Sequence, residues 1–161
     1  MNFLYRYDSP IGPLTMESDG ESLIGLWFDG QKFNEAREDK YLPVFSATAR
    51  WLDFYFGGVQ PDFTPPISLR DSEFRREVWN LLLTIPYGET TTYGELAAQI
   101  AKTRGMAKMS AQAIGGAVGH NPVPIIVPCH RVVGKNGTLT GYGGGLEKKK
   151  FLLALESRNR K

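Results

Sequence analysis

Along the first thirty residues apolar and polar positions alternate between turn signals at Ser9-Pro10, Gly12-Pro13, Asp19-Gly20 and Asp29-Gly30. Alternation with period two marks a half-buried strand, and Asp-Gly between such runs marks a hairpin. The pattern predicts strands near 2–7, 13–18 and 22–28. The period then lengthens. Trp51, Phe54 and Tyr55 follow Ser46, a good N-cap, and precede Gly57-Gly58, which predicts a helix across that stretch. Pro61, Pro65 and Pro66 then mark a linker, because each proline disfavours regular structure in the residue before it. The expected fold class is α+β, with a small antiparallel-sheet lobe, one helix and a linker over 1–66. A helical lobe is expected over 67–161.

The second half is written in helical period. Phe74, Val78, Leu81 and Leu82 form one apolar face of a helix from Ser72 to about Leu83, closed by Pro86 and Gly88. Thr92-Tyr93-Gly94-Glu95 has the form of a capping box opening a helix from Tyr93 to about Ala101. Beyond a connector rich in Lys, Arg, Gly and Met, Ser110 caps a third helix, Ala111 to Val118, built of Ala111, Ala113, Gly115, Gly116 and Ala117. Glycine in a helix costs roughly 1 kcal/mol relative to alanine, so the adjacent pair needs a reason. Close approach of another surface is one. The two helices resemble a helix-turn-helix with a long connector, and its surface is open to two readings, DNA contact or core packing. In a last helix, Gly145 to about Ser157, Leu146, Phe151, Leu152 and Leu155 face the core. Lys148-Lys149-Lys150 reads as a solvated face. Glu156 near the helix end is disfavoured by the helix dipole and is expected in solvent.

Composition narrows the class. With 161 residues, 42% hydrophobic and 12% aromatic, the chain can build one domain or two small lobes. A net charge of +2 does not by itself establish nucleic-acid binding. A local basic face remains open through Arg75, Arg76, Lys102, Arg104, Lys108, Arg131 and Lys135. No apolar run reaches membrane-spanning length, and the N-terminus lacks a signal-peptide pattern. The single cysteine excludes an internal disulfide, and one Cys with two His makes a zinc cage implausible. No metal, no cofactor and a reducing cytoplasmic setting are expected.

The chemistry centres on that cysteine, in Pro128-Cys129-His130-Arg131. The apolar run Val123 to Val127, read as a strand, leads into it, and Gly-rich loops follow at Gly134 to Gly137 and Gly141 to Gly145. Either Cys129 is a small buried hydrophobe, or it is a nucleophile made reactive by its neighbours. The Gly-rich loops are either a flexible surface or a backbone that packs on a flat ligand. In an extended segment Cys129 and His130 point to opposite faces, so a bridging water is the natural link between them.

The run Asn121 to Gly134 resembles the active-site signature of the O6-alkylguanine-DNA alkyltransferases, the methylated-DNA–protein-cysteine methyltransferases. The resemblance extends through Gly141-Tyr142-Gly143-Gly144-Gly145-Leu146 to Glu156, and upstream through Phe74 to Trp79 and Tyr93 to Leu96. It implies irreversible, one-turnover transfer of an alkyl group from O6-alkylguanine, with O4-alkylthymine in reach, to Cys129 after the base is flipped out of duplex DNA. It implies a ribonuclease-like N-terminal lobe and a monomer acting from the minor groove. Glu156 would orient His130, which deprotonates Cys129 through water, while Asn121 holds the bend before the cysteine. Tyr93 would donate to the base ring nitrogen. The Cys129 and Val132 carbonyls would read the exocyclic amine, Gly143 N–H would face the departing oxygen, and Pro124 and Tyr142 would wall the pocket. Arg75, Tyr93, Ala111, Gln112, Ala113, Gly115, Arg131 and Lys135 would meet DNA. Gln112 stands where the family carries an arginine that fills the flipped-out gap. It is expected to serve as that finger, with Lys108 or Arg104 supplying charge; the alternative is a solvent-facing Gln112 and Met109 as the plug. Other classes stay open on residues alone: a Cys–His hydrolase, whose distant histidine could only be His120, a lesion-binding protein without transfer, or a helix-turn-helix regulator.

Overall fold

The structure, a computed structural model, describes residues 2–31 and 37–160, with side chains outside 37–39. These residues form two compact units, one up to Arg70 and one spanning Asp71–Arg160.

In the first unit β1 (Asn2–Ser9), β2 (Gly12–Ser18) and β3 (Leu23–Phe28) form the expected antiparallel meander. The Ser9 and Gly12 pair closes the first turn, with Gly12 at φ 104°, a left-handed conformation that favours glycine. At the second turn the Asp19 carboxylate accepts from the Glu21 and Ser22 N–H groups. A short fourth strand, β4 (Arg37–Asp39), adds parallel to β1. No alternation marks it in the sequence. Helix α1 (Pro43–Phe56) turns Val44, Phe45, Thr48, Trp51, Leu52 and Tyr55 inward, and it contacts the three-stranded meander. It begins earlier than the Ser46 cap anticipated. Pro43 opens it, because a fixed φ suits the first helical position and the missing N–H is not needed there. The proline-rich segment is not a free linker: Leu23 N–H donates to Pro66 O at 2.7 Å and Ser68 N–H to Leu23 O at 3.0 Å, strapping it to β3.

The second unit holds α2 (Glu73–Leu82), β5 (Thr91–Thr92), α3 (Tyr93–Thr103), α4 (Ala111–Gly119), β6 (Val132–Val133) and α5 (Leu146–Asn159). The anticipated caps Thr92 and Ser110 form, accepting from the N–H of Glu95 and Ala113, and Ser72, expected as the first helical residue, caps α2 instead by accepting from Arg75 N–H. The capping box is half made, because the Glu95 carboxylate takes the Thr91 hydroxyl at 2.8 Å. Trp79 Nε1–H donates to Ala117 O at 2.7 Å and fixes α2 on α4, the second helix of the helix-turn-helix. Within α5, Leu152 and Leu155 are buried and Phe151 half-buried, whereas Leu146 is exposed, contrary to expectation. It is the first helical residue, before the apolar face is established.

The run 123–127 is not a strand. It is a buried series of turns, with Ile125 at φ 73°. Pro122, Pro124 and Pro128 have no N–H to offer a ladder. Most of the remaining donors bond locally, Val123 N–H to Asn121 Oδ1 at 3.0 Å, Ile126 N–H to Pro124 O at 2.8 Å and Val127 N–H to Val123 O at 3.0 Å. Such self-sufficiency lets irregular backbone lie in the core. No helix among the described residues is long and apolar enough to cross a membrane.

Candidate active site

Cys129 opens a single 3-10 turn, Cys129–Arg131, rather than an extended segment. Successive side chains on such a turn diverge by about 120°, so Cys129 and His130 still point apart. Asn121 braces the approach to the turn. Its amide donates to Val127 O at 2.8 Å and its carbonyl oxygen accepts from Val123 N–H at 3.0 Å.

His130 is fully buried, and its Nε2 lies 2.5 Å from Glu156 Oε2. Glu156 is only 1% exposed, which overturns the solvent-facing expectation. The helix dipole does oppose a charge there, but fixed donors outweigh it. Arg131 Nε–H donates to Oε1 at 2.8 Å, Arg131 also reaches Oε2 at 3.2 Å, and Gly88 N–H donates to Oε1 at 3.0 Å. Burial alone would raise the Glu156 pKa; the hydrogen bond from His130 and the bonds and charge of Arg131 bring it to about 2 instead. The carboxylate is therefore ionised and can only accept, so His130 Nε2 carries the proton. Burial holds His130 below its ordinary pKa against the pull of Glu156, and in the neutral ring the basic lone pair belongs to Nδ1.

Arg131 is consequently not a phosphate contact. It is buried, spent on Glu156, and bonded to Ile85 O at 2.7 Å. A buried carboxylate needs a paired cation, and Arg131 is that cation.

The lysine run is divided. Lys150 is exposed, but Lys149 is fully buried, its Nζ donating to Val132 O at 2.7 Å and to Thr140 O at 3.4 Å. The helical period explains the correction: Lys149 lies three residues before Leu152 and seven before Glu156, on the inward face of α5. Burial pushes the Cys129 thiol up to about 11, opposed by a hydrogen bond from Asn121 and the charge of Lys149.

Tyr93, the first residue of α3, places its hydroxyl oxygen 2.8 Å from Thr140 Oγ1. Pro124 and Val132 are buried beside Cys129 in the chain, Tyr142 is half-buried and Gly143 is exposed. Asn136 at φ 62° and Gly137 at φ 77° make a tight turn. On α4, Ala111, Gln112, Ala113 and Gly116 are exposed. A Cβ on Gly115 would meet only the Tyr93 ring at 3.9 Å, and one on Gly116 nothing within 4 Å. Packing inside the protein therefore does not require either glycine. Of the cations, Lys108 and Lys135 are exposed, Arg75 pairs with Asp71 at 3.1 Å, and Arg104 is taken up by Glu77 at 2.8 Å and the Phe74 ring. Arg104 is nonetheless exposed. Among the described residues no group of three or more His, Cys, Asp or Glu could hold a metal ion.

Sequence reasoning missed Lys149, Thr140 and the Gly88 N–H. Only Lys149 carried a usable signal, its place in the apolar period of α5.

Two family models match the chain: the 6-O-methylguanine DNA methyltransferase ribonuclease-like domain over residues 4–69 and the DNA binding domain of the same family over residues 73–158. A Mycobacterium bovis methylated-DNA–protein-cysteine methyltransferase is 47% identical over 152 residues, 92% of this chain and 88% of that protein. A Haemophilus influenzae protein of the same name is 42% identical, covering 93% of this chain and 83% of its own length. The structure of Mycobacterium tuberculosis OGT in complex with DNA superposes with a TM-score of 0.88 at 44% identity, covering 98% of this chain and 94% of that one.

Proposed function

The chain belongs to the 6-O-methylguanine DNA methyltransferase family, and from that premise we propose that it repairs alkylated DNA directly, taking the alkyl group of O6-alkylguanine onto Cys129. The observation that carries this reading is the His130–Glu156 pair next to the only cysteine of the chain. A thiol pushed up to about 11 is inert at neutral pH, so transfer requires a base. His130 is that base and Glu156 its orienter. Because the Cys129 and His130 side chains diverge, a water carries the proton between them.

The thiolate attacks the alkyl carbon in line. A sulfur–carbon bond forms, the carbon–oxygen bond breaks, and its electron pair passes into the guanine ring. The thiol proton is matched by one gained by the ring, leaving S-alkylcysteine and guanine. A thioether is a very poor leaving group, so each protein acts once. The same alkyl–oxygen bond in O4-alkylthymine falls within this chemistry. Tyr93 donates to the ring nitrogen, and the Cys129 and Val132 carbonyls accept from the exocyclic amine. Lys149 occupies one lone pair of the Val132 carbonyl, which leaves the other for the amine. Gly143 N–H faces the oxygen, with Pro124 and Tyr142 as walls and Asn121 bracing the turn.

The target carbon lies inside the base stack, so the nucleotide is flipped out, at a cost of a few kcal/mol. Helix α4 provides the minor-groove surface through Ala111, Gln112, Ala113 and Gly115, with Arg75 and Lys135 toward phosphates. The two helical glycines without an internal packing reason support this placement. The protein acts as a monomer, in a reducing compartment such as the cytoplasm, where its thiol survives.

Incubation with duplex DNA carrying radiolabelled O6-methylguanine tests the proposal. One label per protein, located on Cys129 by mass spectrometry, is the expected result. Label released to water, or DNA bound without any transfer, would overturn it.

A further inference from the structure

The hydroxyl of Tyr93 does not stand alone. Its oxygen is 2.8 Å from Thr140 Oγ1, and Thr140 is held from two other sides. The Thr140 carbonyl accepts from the buried Lys149 ammonium at 3.4 Å. Its methyl sits over Gly134, where a Cβ would come within 3.3 Å of Thr140 Cγ2 and 3.2 Å of Thr138 O. Gly134 thereby leaves the methyl its seat. A β-branched side chain is stiff about its first torsion, so seating the methyl also sets the direction of the hydroxyl, toward Tyr93.

Either hydroxyl can donate in this pair. A base ring nitrogen is an acceptor only, and it decides between them. If Tyr93 gives its proton to the base, Thr140 must be the donor to the Tyr93 oxygen. A phenol that accepts a hydrogen bond becomes a stronger donor, and its O–H can no longer rotate freely.

We propose that Thr140 is a positioning residue for the transfer, donating to the Tyr93 oxygen and so aiming and strengthening the Tyr93 proton toward the base. This rests on the reading of Tyr93 as a donor to the base. The tests are single-turnover alkyl transfer from duplex DNA by Thr140→Val and Thr140→Ser, each in the natural and the Tyr93→Phe background. Thr140→Val keeps the shape without the hydroxyl and is expected to slow transfer by about fivefold, the worth of one neutral hydrogen bond. Thr140→Ser keeps the hydroxyl but not the seated methyl, so its rate should fall between those of Thr140→Val and the parent. In the Tyr93→Phe background, Thr140→Val should add nothing. Thr140→Ala removes the hydroxyl by another route and should match Thr140→Val, should the latter fold poorly. Equal slowing in both backgrounds, or a loss in Thr140→Ser as large as in Thr140→Val, would overturn the proposal. So would a full rate in Thr140→Val and Thr140→Ala while Tyr93→Phe is slow, an outcome that leaves the Tyr93 reading intact. Full activity of Tyr93→Phe removes that reading and the Thr140 role with it.

Discussion

His130 and Glu156 come within 2.5 Å of each other from sites 26 residues apart, both buried, with Arg131 gripping the same carboxylate. Folding therefore stabilises the ionised carboxylate and the neutral imidazole together. Both pKa values lie below their ordinary ones, 4.5 for the carboxyl and 6.5 for the imidazole. A depressed pKa adds stability above the unfolded value, and that stability is lost as pH falls through the folded value. Thermal melting should show stability declining below pH 6.5 as unfolded His130 takes up a proton, and declining again between 4.5 and about 2. Glu156→Gln should diminish the second decline, to which the lowered Asp19 and Asp71 also contribute. In single-turnover transfer, His130 and Glu156 substitutions should be strongly non-additive, since the carboxylate acts through the ring. Additive losses would detach Glu156 from the chemistry.

Lys149 supports the site from α5. Lys149→Met keeps the stem but leaves the Val132 carbonyl without its donor, and it withdraws the charge that opposes the upward push on the Cys129 thiol. Loss of roughly 1–3 kcal/mol in denaturant unfolding, together with slower transfer, is the expected outcome. Lys150→Met, on the exposed face, should stay within about 0.5 kcal/mol of the parent.

Gly116 separates folding from DNA contact. Its Cβ position is empty, so Gly116→Ala should stabilise the helix by up to about 1 kcal/mol. Gly116→Leu should weaken binding to duplex DNA while the fold remains intact by circular dichroism. Undiminished DNA affinity in Gly116→Leu would argue that this face of α4 stays in solvent.

Gln112 is exposed on the same helix. We propose it as the finger that fills the gap beneath a flipped base, a role that would matter only when there is a gap to fill. Gln112→Ala is expected to slow transfer from duplex DNA but not from the free modified base. Gln112 can hydrogen-bond the orphaned partner base, though without the charge and stacking of a guanidinium. Equal rates on both substrates would discard the finger role and turn attention to Met109.

Local chemistry was legible wherever one side chain acts on its neighbours. Thr92 and Ser110 cap the helices they precede, and the meander follows the alternation of the first thirty residues. The start of α1 shows the limit even there, since the helix opens at Pro43 and not after the Ser46 cap that the pattern offered.

The family was likewise written in the chain, through Pro128-Cys129-His130-Arg131 and its flanking motifs. What surrounds Cys129 was decided by tertiary structure. Charge runs and helix-end carboxylates belong in solvent when considered alone, and that logic placed Lys149 and Glu156 outside and left Arg131 for phosphate. Burial reverses it. Once α5 closes over the Cys129–Arg131 turn, each charge must find a fixed partner, and the partners come from residues distant in sequence: Val132 and Thr140 for Lys149, and His130, Arg131 and Gly88 for Glu156. The run 123–127 follows the same reason. Its apolar side chains demanded the interior, but prolines had removed the donors of a strand, so the backbone satisfied itself in turns that only the folded core could hold.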